Sequence, residues 1–216
     1  MTGDSLGQLR GFRGVIARGN LALILLVAGK AVASESLASE ITVMGEAGDP
    51  RVDSVREAVA FWNAELEHVG ARVRLGPVRV VPDAIPDDVL EDVSRAVADG
   101  RGARGLGRWV ETGAGDFTVV LANVDLMSFA IPWRAGGGGV VVLRRADTVP
   151  LSLPNVARNV AAHELGHLLG LPHNSDPATL MCGRPAPCRP DLYESATARF
   201  FPLTPAEEGA LRESAP

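Results

Sequence analysis

The feature that most constrains this chain of 216 residues is the segment 163–173, which reads HELGHLLGLPH and holds three of the chain's four histidines. His163 and His167 are four residues apart within an apolar stretch, and this spacing predicts a helix with both imidazoles on one face. Gly170 follows His167 by three residues, where a residue that tolerates positive φ ends a helix and reverses the chain. Such a reversal would return His173 to the other two histidines.

Three imidazoles at this spacing are a ligand set for a single zinc ion. Three protein ligands leave the fourth zinc position open, which is the arrangement of catalytic sites. Glu164 follows the first ligand and suits a carboxylate that takes a proton from a zinc-bound water. Core histidines, a surface glutamate or an ordinary helix cap would each explain one position, but not the joint spacing. The sequence therefore predicts one Zn²⁺ held by His163, His167 and His173, with Glu164 as the base.

The same residues resemble the metzincin clan of zinc metalloendopeptidases and, within it, the matrixins, whose catalytic domains are of the matrix metalloproteinase type. Met181 lies eight residues beyond His173, much like the approach to the matrixin Met-turn. The resemblance implies that Met181 forms a hydrophobic floor beneath the metal. Residues 203–211 resemble the closing helix of the family, and there Thr204 is expected as N-cap with Glu207 as its capping-box partner.

The resemblance implies a fold and a function. The fold would be α+β, a metzincin-type zincin with a twisted mixed β-sheet, a long active-site helix and a C-terminal helix. The function would be a secreted zinc endopeptidase in which a strand near Leu126–Ile131 holds the peptide and Cys182–Pro202 lines the main pocket. The alternatives are an inactive binding protein on this scaffold and a zinc hydrolase of a non-peptide substrate. Asn174 departs from the family, since matrixins usually have serine there.

Periodicity and turn residues place the remaining elements. Helices are predicted from Asp53, as an N-cap, and from Pro86. The predicted strands are Ile41–Met44, a strand or strand pair over Val73–Val80 interrupted at Gly76-Pro77, Phe117–Val124, a weaker Leu126–Ile131, and Val140–Arg144. The second helix carries acidic residues over 87–92, but they lack the alternating ligand loop of a calcium site. Ca²⁺ is therefore possible but unsupported, and a solvated helix face is expected.

The N-terminus has the pattern of an export signal. Three arginines precede the apolar run Leu21–Ala28, and Ala31 and Ala33 provide the small residues that signal peptidases cut. The run is far shorter than the ~20 residues of a membrane span. A membrane anchor and a frayed, uncleaved terminus are the alternatives. The sequence predicts three segments: a signal peptide over 1–33, a linker over 34–40 and a metzincin-like catalytic domain over 41–216.

Composition and cysteines agree with a secreted globular domain. Hydrophobic residues make up 46% of the chain, which excludes a disordered chain. Removing residues 1–33 takes away four basic side chains and one acidic one, which changes the net charge from −5 to −8. That charge argues against nucleic acid or an anionic membrane as partner. We expect a monomer that acts on protein or peptide. Export favours a disulfide between Cys182 and Cys188, with free thiols or a metal pair as alternatives.

Overall fold

The computed structural model describes residues 38–102, 105–110, 117–133, 138–147, 149, 152–183, 188 and 197–213. All of them belong to the unit Glu35–Pro216. The predicted signal peptide and residues 34–37 of the predicted linker lie outside the described residues. Within the described ranges, no helix has both the length and the apolar character needed to cross a bilayer.

In the described part of the chain, five strands form one mixed sheet with four α-helices around it. In chain order the elements are β1 Ala38–Met44, α1 Pro50–His68, β2 Arg74–Val81, α2 Asp87–Ala98, a 3₁₀ turn Leu106–Arg108, β3 Phe117–Leu121, β4 Phe129–Pro132, β5 Gly139–Leu143, α3 Pro154–Leu168 and α4 Pro205–Glu213. The strand order is β2-β1-β3-β5-β4. Neighbours are parallel except β4, which runs antiparallel to β5. The predicted α+β class, with a mixed sheet, a helix over the histidines and a C-terminal helix, is confirmed.

Both faces of the sheet are covered, which explains why β3 and β5 are continuous apolar runs. Consecutive side chains of a strand point to opposite faces, and all five residues of each strand are buried. One face packs against α1, α3 and α4. The other packs against α2 and the region of the 3₁₀ turn. Helix α3 contacts α1, β4 and β5. Its histidines therefore belong to the half of the sheet that contains β5 and the antiparallel edge strand β4.

Helix α1 begins earlier than its apolar pattern indicates. Its N-cap is Asp49, whose side chain accepts a hydrogen bond from the backbone N–H of Arg51 at 2.8 Å, and Pro50 is the first helical residue. Proline suits this position because the first helical N–H has no partner within the helix. The prediction that Asp53 is the N-cap is therefore wrong, since Asp53 lies in the first turn.

Arg51 joins the start of α1 to the ends of two central strands. Its guanidinium is buried, and Nη1 donates to the backbone carbonyls of Ala122, Leu143 and Arg144 at 2.7, 3.1 and 3.0 Å. The remaining N–H groups face Asp49, at 2.5 Å from Nη2 to Oδ2. Burial raises the pKa of Asp49, but the hydrogen bonds and charge of Arg51 outweigh it, so this pKa lies below its ordinary value.

The predicted interruption at Gly76-Pro77 is wrong, because β2 continues through it. The register between β1 and β2 shifts opposite this dipeptide, between Ser39 and Ile41, as in a β-bulge. A Cβ on Gly76 would lie 2.8 Å from the carbonyl oxygen of Ser39, so glycine allows the close approach. Pro77 is tolerated because β2 is an edge strand.

The other strands also differ from their predicted bounds. β1 is longer than predicted, because it begins at Ala38, so residues 38–40 of the predicted linker belong to the sheet. β2 is shifted by one residue, and the remaining strands are shorter or shifted. β3 ends at Leu121 instead of Val124, and β4 begins at Phe129 instead of Leu126. β5 starts one residue early and ends one residue early relative to Val140–Arg144. The apolar residues beyond these bounds contribute to the core from loops, since Ala122 and Leu126 are buried.

We expect Arg51→Met to lower the free energy of unfolding by about 3–5 kcal/mol, because it leaves the partly buried Asp49 without its partner and removes the donor to three backbone carbonyls. Urea denaturation of the purified protein measures this. Arg56→Met is the matched control on the same helix, since Arg56 pairs with Asp53 at an exposed site and should change stability by less than about 1 kcal/mol. Equal losses in the two variants would contradict the role given to Arg51.

Candidate metal centre

Helix α3 ends in a turn that reverses the chain toward His163 and His167. Gly170 has φ 91°, a conformation that favours glycine. Its N–H donates to the carbonyl of His167 at 3.1 Å, and the N–H of Leu171 donates to that of Gly166 at 3.0 Å. These two bonds are the Schellman pattern of a helix C-terminus. The reversal expected at Gly170 is therefore present, and it places His173 beside α3.

The three predicted ligands converge through their Nε2 atoms. The Nε2 of His173 lies 3.1 Å from that of His163 and 3.0 Å from that of His167. Among the residues that the structure describes, these three form the one cluster of His, Cys, Asp or Glu donors suited to a metal ion. Three lone pairs directed at a common region make a donor set of the kind that zinc prefers.

The outer ring nitrogens explain why Nε2 points inward. Nδ1 of His163 lies 2.7 Å from the carbonyl oxygen of Leu180, and Nδ1 of His167 lies 2.7 Å from that of Leu171. A carbonyl only accepts, so each Nδ1 carries the proton and donates it. The neutral ring then has an unprotonated Nε2, the form that binds a metal. Burial lowers the pKa of His167, as does the charge of His173, against the opposing effect of the Leu171 carbonyl.

Exposure increases along the ligand set. His163 is buried at 5% exposure, His167 is partly exposed and His173 is exposed, so the cluster opens to solvent on the side of His173. Glu164 is buried at 8% exposure on the same turn of α3 as His163. The roles assigned to these four residues from the sequence remain predictions, and the geometry is compatible with them.

Met181 packs against α3, the helix that carries His163 and His167. It is fully buried, and a Cβ on Gly166, the residue before His167, would lie 2.6 Å from its Sδ and 2.9 Å from Cζ2 of Trp62. The Nε1 of Trp62 donates to the carbonyl of Ala162 at 2.8 Å. The Met-turn, which we define here as Thr179–Gly183, therefore sits against the helix segment that holds both histidines.

A polar network joins Asn174, the residue after the third histidine, to the C-terminal helix, and sequence reasoning missed it. The expected capping box is present: Glu207 N–H donates to Thr204 Oγ1 at 3.2 Å, and Thr204 N–H donates to Glu207 Oε2 at 2.7 Å. The other carboxylate oxygen of Glu207 accepts from Asn174 Nδ2 at 2.6 Å. Asn174 also bonds Thr179 of the Met-turn. The only local signal was the unusual residue at 174, and the partner is 33 residues away.

The segment after the Met-turn is held at both ends. Cys182 and Cys188 form a disulfide. The backbone at 197–201 is held by two buried asparagines of α3: Asn155 bonds Thr197 and Arg199, while Asn159 bonds Arg199 and Phe201. Residues 184–187 and 189–196 of the expected pocket wall Cys182–Pro202 lie outside the described residues.

The segment that carries the three histidines is similar to a known protein family. The family model described as Matrixin matches residues 144–188, which include the three histidines, Glu164 and Met181. The search of the curated proteins gave no match. The matched segment is about a fifth of the chain and contains all three histidines of the cluster, so the likeness to this family lies at the site.

Several solved structures are similar to this chain at TM-scores below 0.5. Archaemetzincin from Methanopyrus kandleri is 20% identical at a TM-score of 0.48, covering 85% of this chain and 98% of its own. Metalloproteinase-II from Bacteroides fragilis is 15% identical at 0.47, covering 82% of this chain and 53% of its own. A zinc-dependent peptidase from Methanocorpusculum labreanum is 16% identical at 0.37, covering 69% of this chain and 90% of its own.

We expect Glu207→Ala to lower the free energy of unfolding by about 2–4 kcal/mol, because it removes a helix cap and leaves the Asn174 amide without this acceptor. Denaturant unfolding measures the loss. Glu208→Ala is the control, since Glu208 is less buried and its interaction with the helix N-terminus is worth under about 1 kcal/mol. If both variants unfold at the same denaturant concentration, the link between α4 and Asn174 carries no stability.

Proposed function

We propose that this chain is a zinc-dependent endopeptidase. The observation that carries the proposal is the convergence of three histidine Nε2 atoms, two of which are turned inward by bonds from Nδ1 to backbone carbonyls. A structural zinc site usually has four protein ligands. Here the described residues supply three, and the exposed side of the cluster leaves room for a substrate. This is the donor set of a catalytic site.

His163, His167 and His173 would hold the metal, and Glu164 would move the proton. When bound, zinc would polarise the scissile carbonyl and make a nearby water more acidic. Glu164 removes the proton of the attacking water and later delivers it to the departing amine. Its carboxylate is buried, so its charge acts in surroundings where electrostatic interactions are strong. Its position directly after His163 in α3 limits its motion relative to that ring.

The substrate would be a peptide held in an extended conformation along β4. This strand lies at the edge of the sheet, and among the described residues it pairs only with β5. An edge strand offers free backbone groups to an added strand, which gives affinity that does not depend on side-chain identity. Helix α3 packs against β4, so a peptide on this edge lies on the same side as the histidines. Cleavage within unfolded or extended chains follows.

The decisive variant is Glu164→Gln, which keeps the shape of the side chain and removes its basicity. We expect it to retain one bound zinc and to lose about 10²–10⁴-fold in kcat, the range for general acid–base catalysis. Hydrolysis of quenched fluorescent peptide libraries and metal analysis of the same preparation measure both quantities. Glu67→Gln, at an exposed position of α1, is the control and should match the wild type.

Three results separate the candidate functions. Equal turnover of Glu164→Gln and wild type would remove Glu164 as the base. A wild type that binds one zinc and cleaves no peptide would contradict the peptidase and leave the inactive scaffold or a non-peptide hydrolase. A wild type that binds no zinc would overturn the metal site itself.

We further propose that the protein is exported and loses residues 1–33. The support is the arginine-flanked apolar run and the small residues at 31 and 33. A disulfide between Cys182 and Cys188 agrees with an oxidising compartment. N-terminal sequencing of protein from the medium of a secreting host should begin near Ser34. Material there that still begins at Met1 would contradict the cleavage.

A further inference from the structure

We propose that Gly183 is the positioning residue of the third histidine, because only a residue without a side chain lets the His173 imidazole reach the other two ligands. A Cβ built on Gly183 would lie 2.1 Å from Cγ of His173 and 2.5 Å from both Cδ2 and Nδ1. These distances are far inside van der Waals contact, since carbon atoms pack at about 3.5–4.0 Å. The inference rests on the proposed function, in which His173 is a zinc ligand.

Backbone conformation gives no separate reason for glycine at this position. The glycines with positive φ in the described residues include Gly170 but not Gly183. The φ angle of Gly183 is therefore not one that excludes alanine. The requirement comes from space alone, and the space is occupied by the His173 ring.

The backbone on both sides of this contact is held in place, so it has little freedom to relax. Asn174 N–H donates to the carbonyl of Met181 at 2.9 Å, and Gly183 N–H donates to the carbonyl of Asn174 at 3.0 Å. Asn174 is also bound to Glu207 through its side chain, and Cys182 is tied to Cys188. A methyl group at 183 would therefore displace the imidazole and leave the chain where it is.

The His173 ring has space to rotate toward solvent, because His173 is exposed. Rotation toward solvent would relieve the contact and move Nε2 away from those of His163 and His167, which lie 3.1 and 3.0 Å from it. The two remaining ligands belong to α3 and would stay in place. Gly183→Ala should thus weaken metal binding while the fold persists.

The test measures zinc affinity of the full-length protein by competition with a chromophoric chelator. Gly183→Ala should bind zinc about 10–100-fold more weakly, the range for losing groups that orient a ligand. The visible absorption of the Co²⁺-substituted protein should change as well, because the ligand set changes. Gly209→Ala is the matched control, since its added Cβ meets nothing within 4 Å, and its affinity and Co²⁺ spectrum should match the wild type.

A double-mutant cycle with His173→Ala identifies the mechanism. In the His173→Ala background the methyl group has no ring to displace, so Gly183→Ala should cause no further loss of affinity. If Gly183→Ala is too unstable alone, stability should return in the double variant for the same reason.

Three results overturn the inference: unchanged affinity in Gly183→Ala, an equal further loss in the His173→Ala background, or a double variant that stays unfolded. A wild type that binds no zinc would overturn the proposed function as well, whereas a wild type that binds one zinc with Gly183→Ala equal to it overturns only the role of Gly183.

Discussion

The bond from Nδ1 of His163 to the carbonyl of Leu180 is the interaction on which the site depends. It joins α3 to the Met-turn, two segments that approach the site from different parts of the chain. It also fixes the tautomer of the ring, because a carbonyl accepts only from a protonated Nδ1. One hydrogen bond therefore both ties the Met-turn to α3 and leaves Nε2 of His163 as the nitrogen that faces the other two histidines. His167 makes the equivalent bond, from its Nδ1 to the carbonyl of Leu171, which lies in the turn after α3.

The surrounding polar groups are arranged so that few are buried without a partner. Trp62 donates to the carbonyl of Ala162, directly before the first histidine, and two asparagines of α3 hold the chain at 197–201. Glu207 is buried and serves both its own helix and Asn174. Leaving any of these groups unpaired would cost free energy, so each bond also specifies which segments lie together. The ligand helix is thus located by polar bonds as well as by apolar packing.

The parts of the site that follow from local spacing were predictable from the sequence. The four-residue interval of His163 and His167, the glycine that ends α3 and the capping box at Thr204 each depend on residues within one or two turns. The start of α1 was also predictable, since Asp49 precedes a proline. The spacing of the apolar residues instead favoured Asp53 as the N-cap.

Long-range contacts were not predictable in this way. Arg51 meets carbonyls more than 70 positions away, and Asn174 meets a carboxylate of α4. The need for glycine at position 183 comes from the His173 ring that lies against it. These contacts exist only after the tertiary fold has brought the segments together, and no period or motif in one sequence encodes them.

The three histidines are held in place in two different ways. His163 and His167 belong to a helix that the core holds on several sides, so their positions share the stability of the whole domain. His173 lies on an exposed segment, and its position depends on Gly183, on the Met-turn backbone and on Asn174. A change in these loop contacts therefore affects one ligand, whereas a change in the core affects all three. Metal affinity and global stability are then partly separable properties of this fold, and the separation lies between α3 and the residues that follow Gly170.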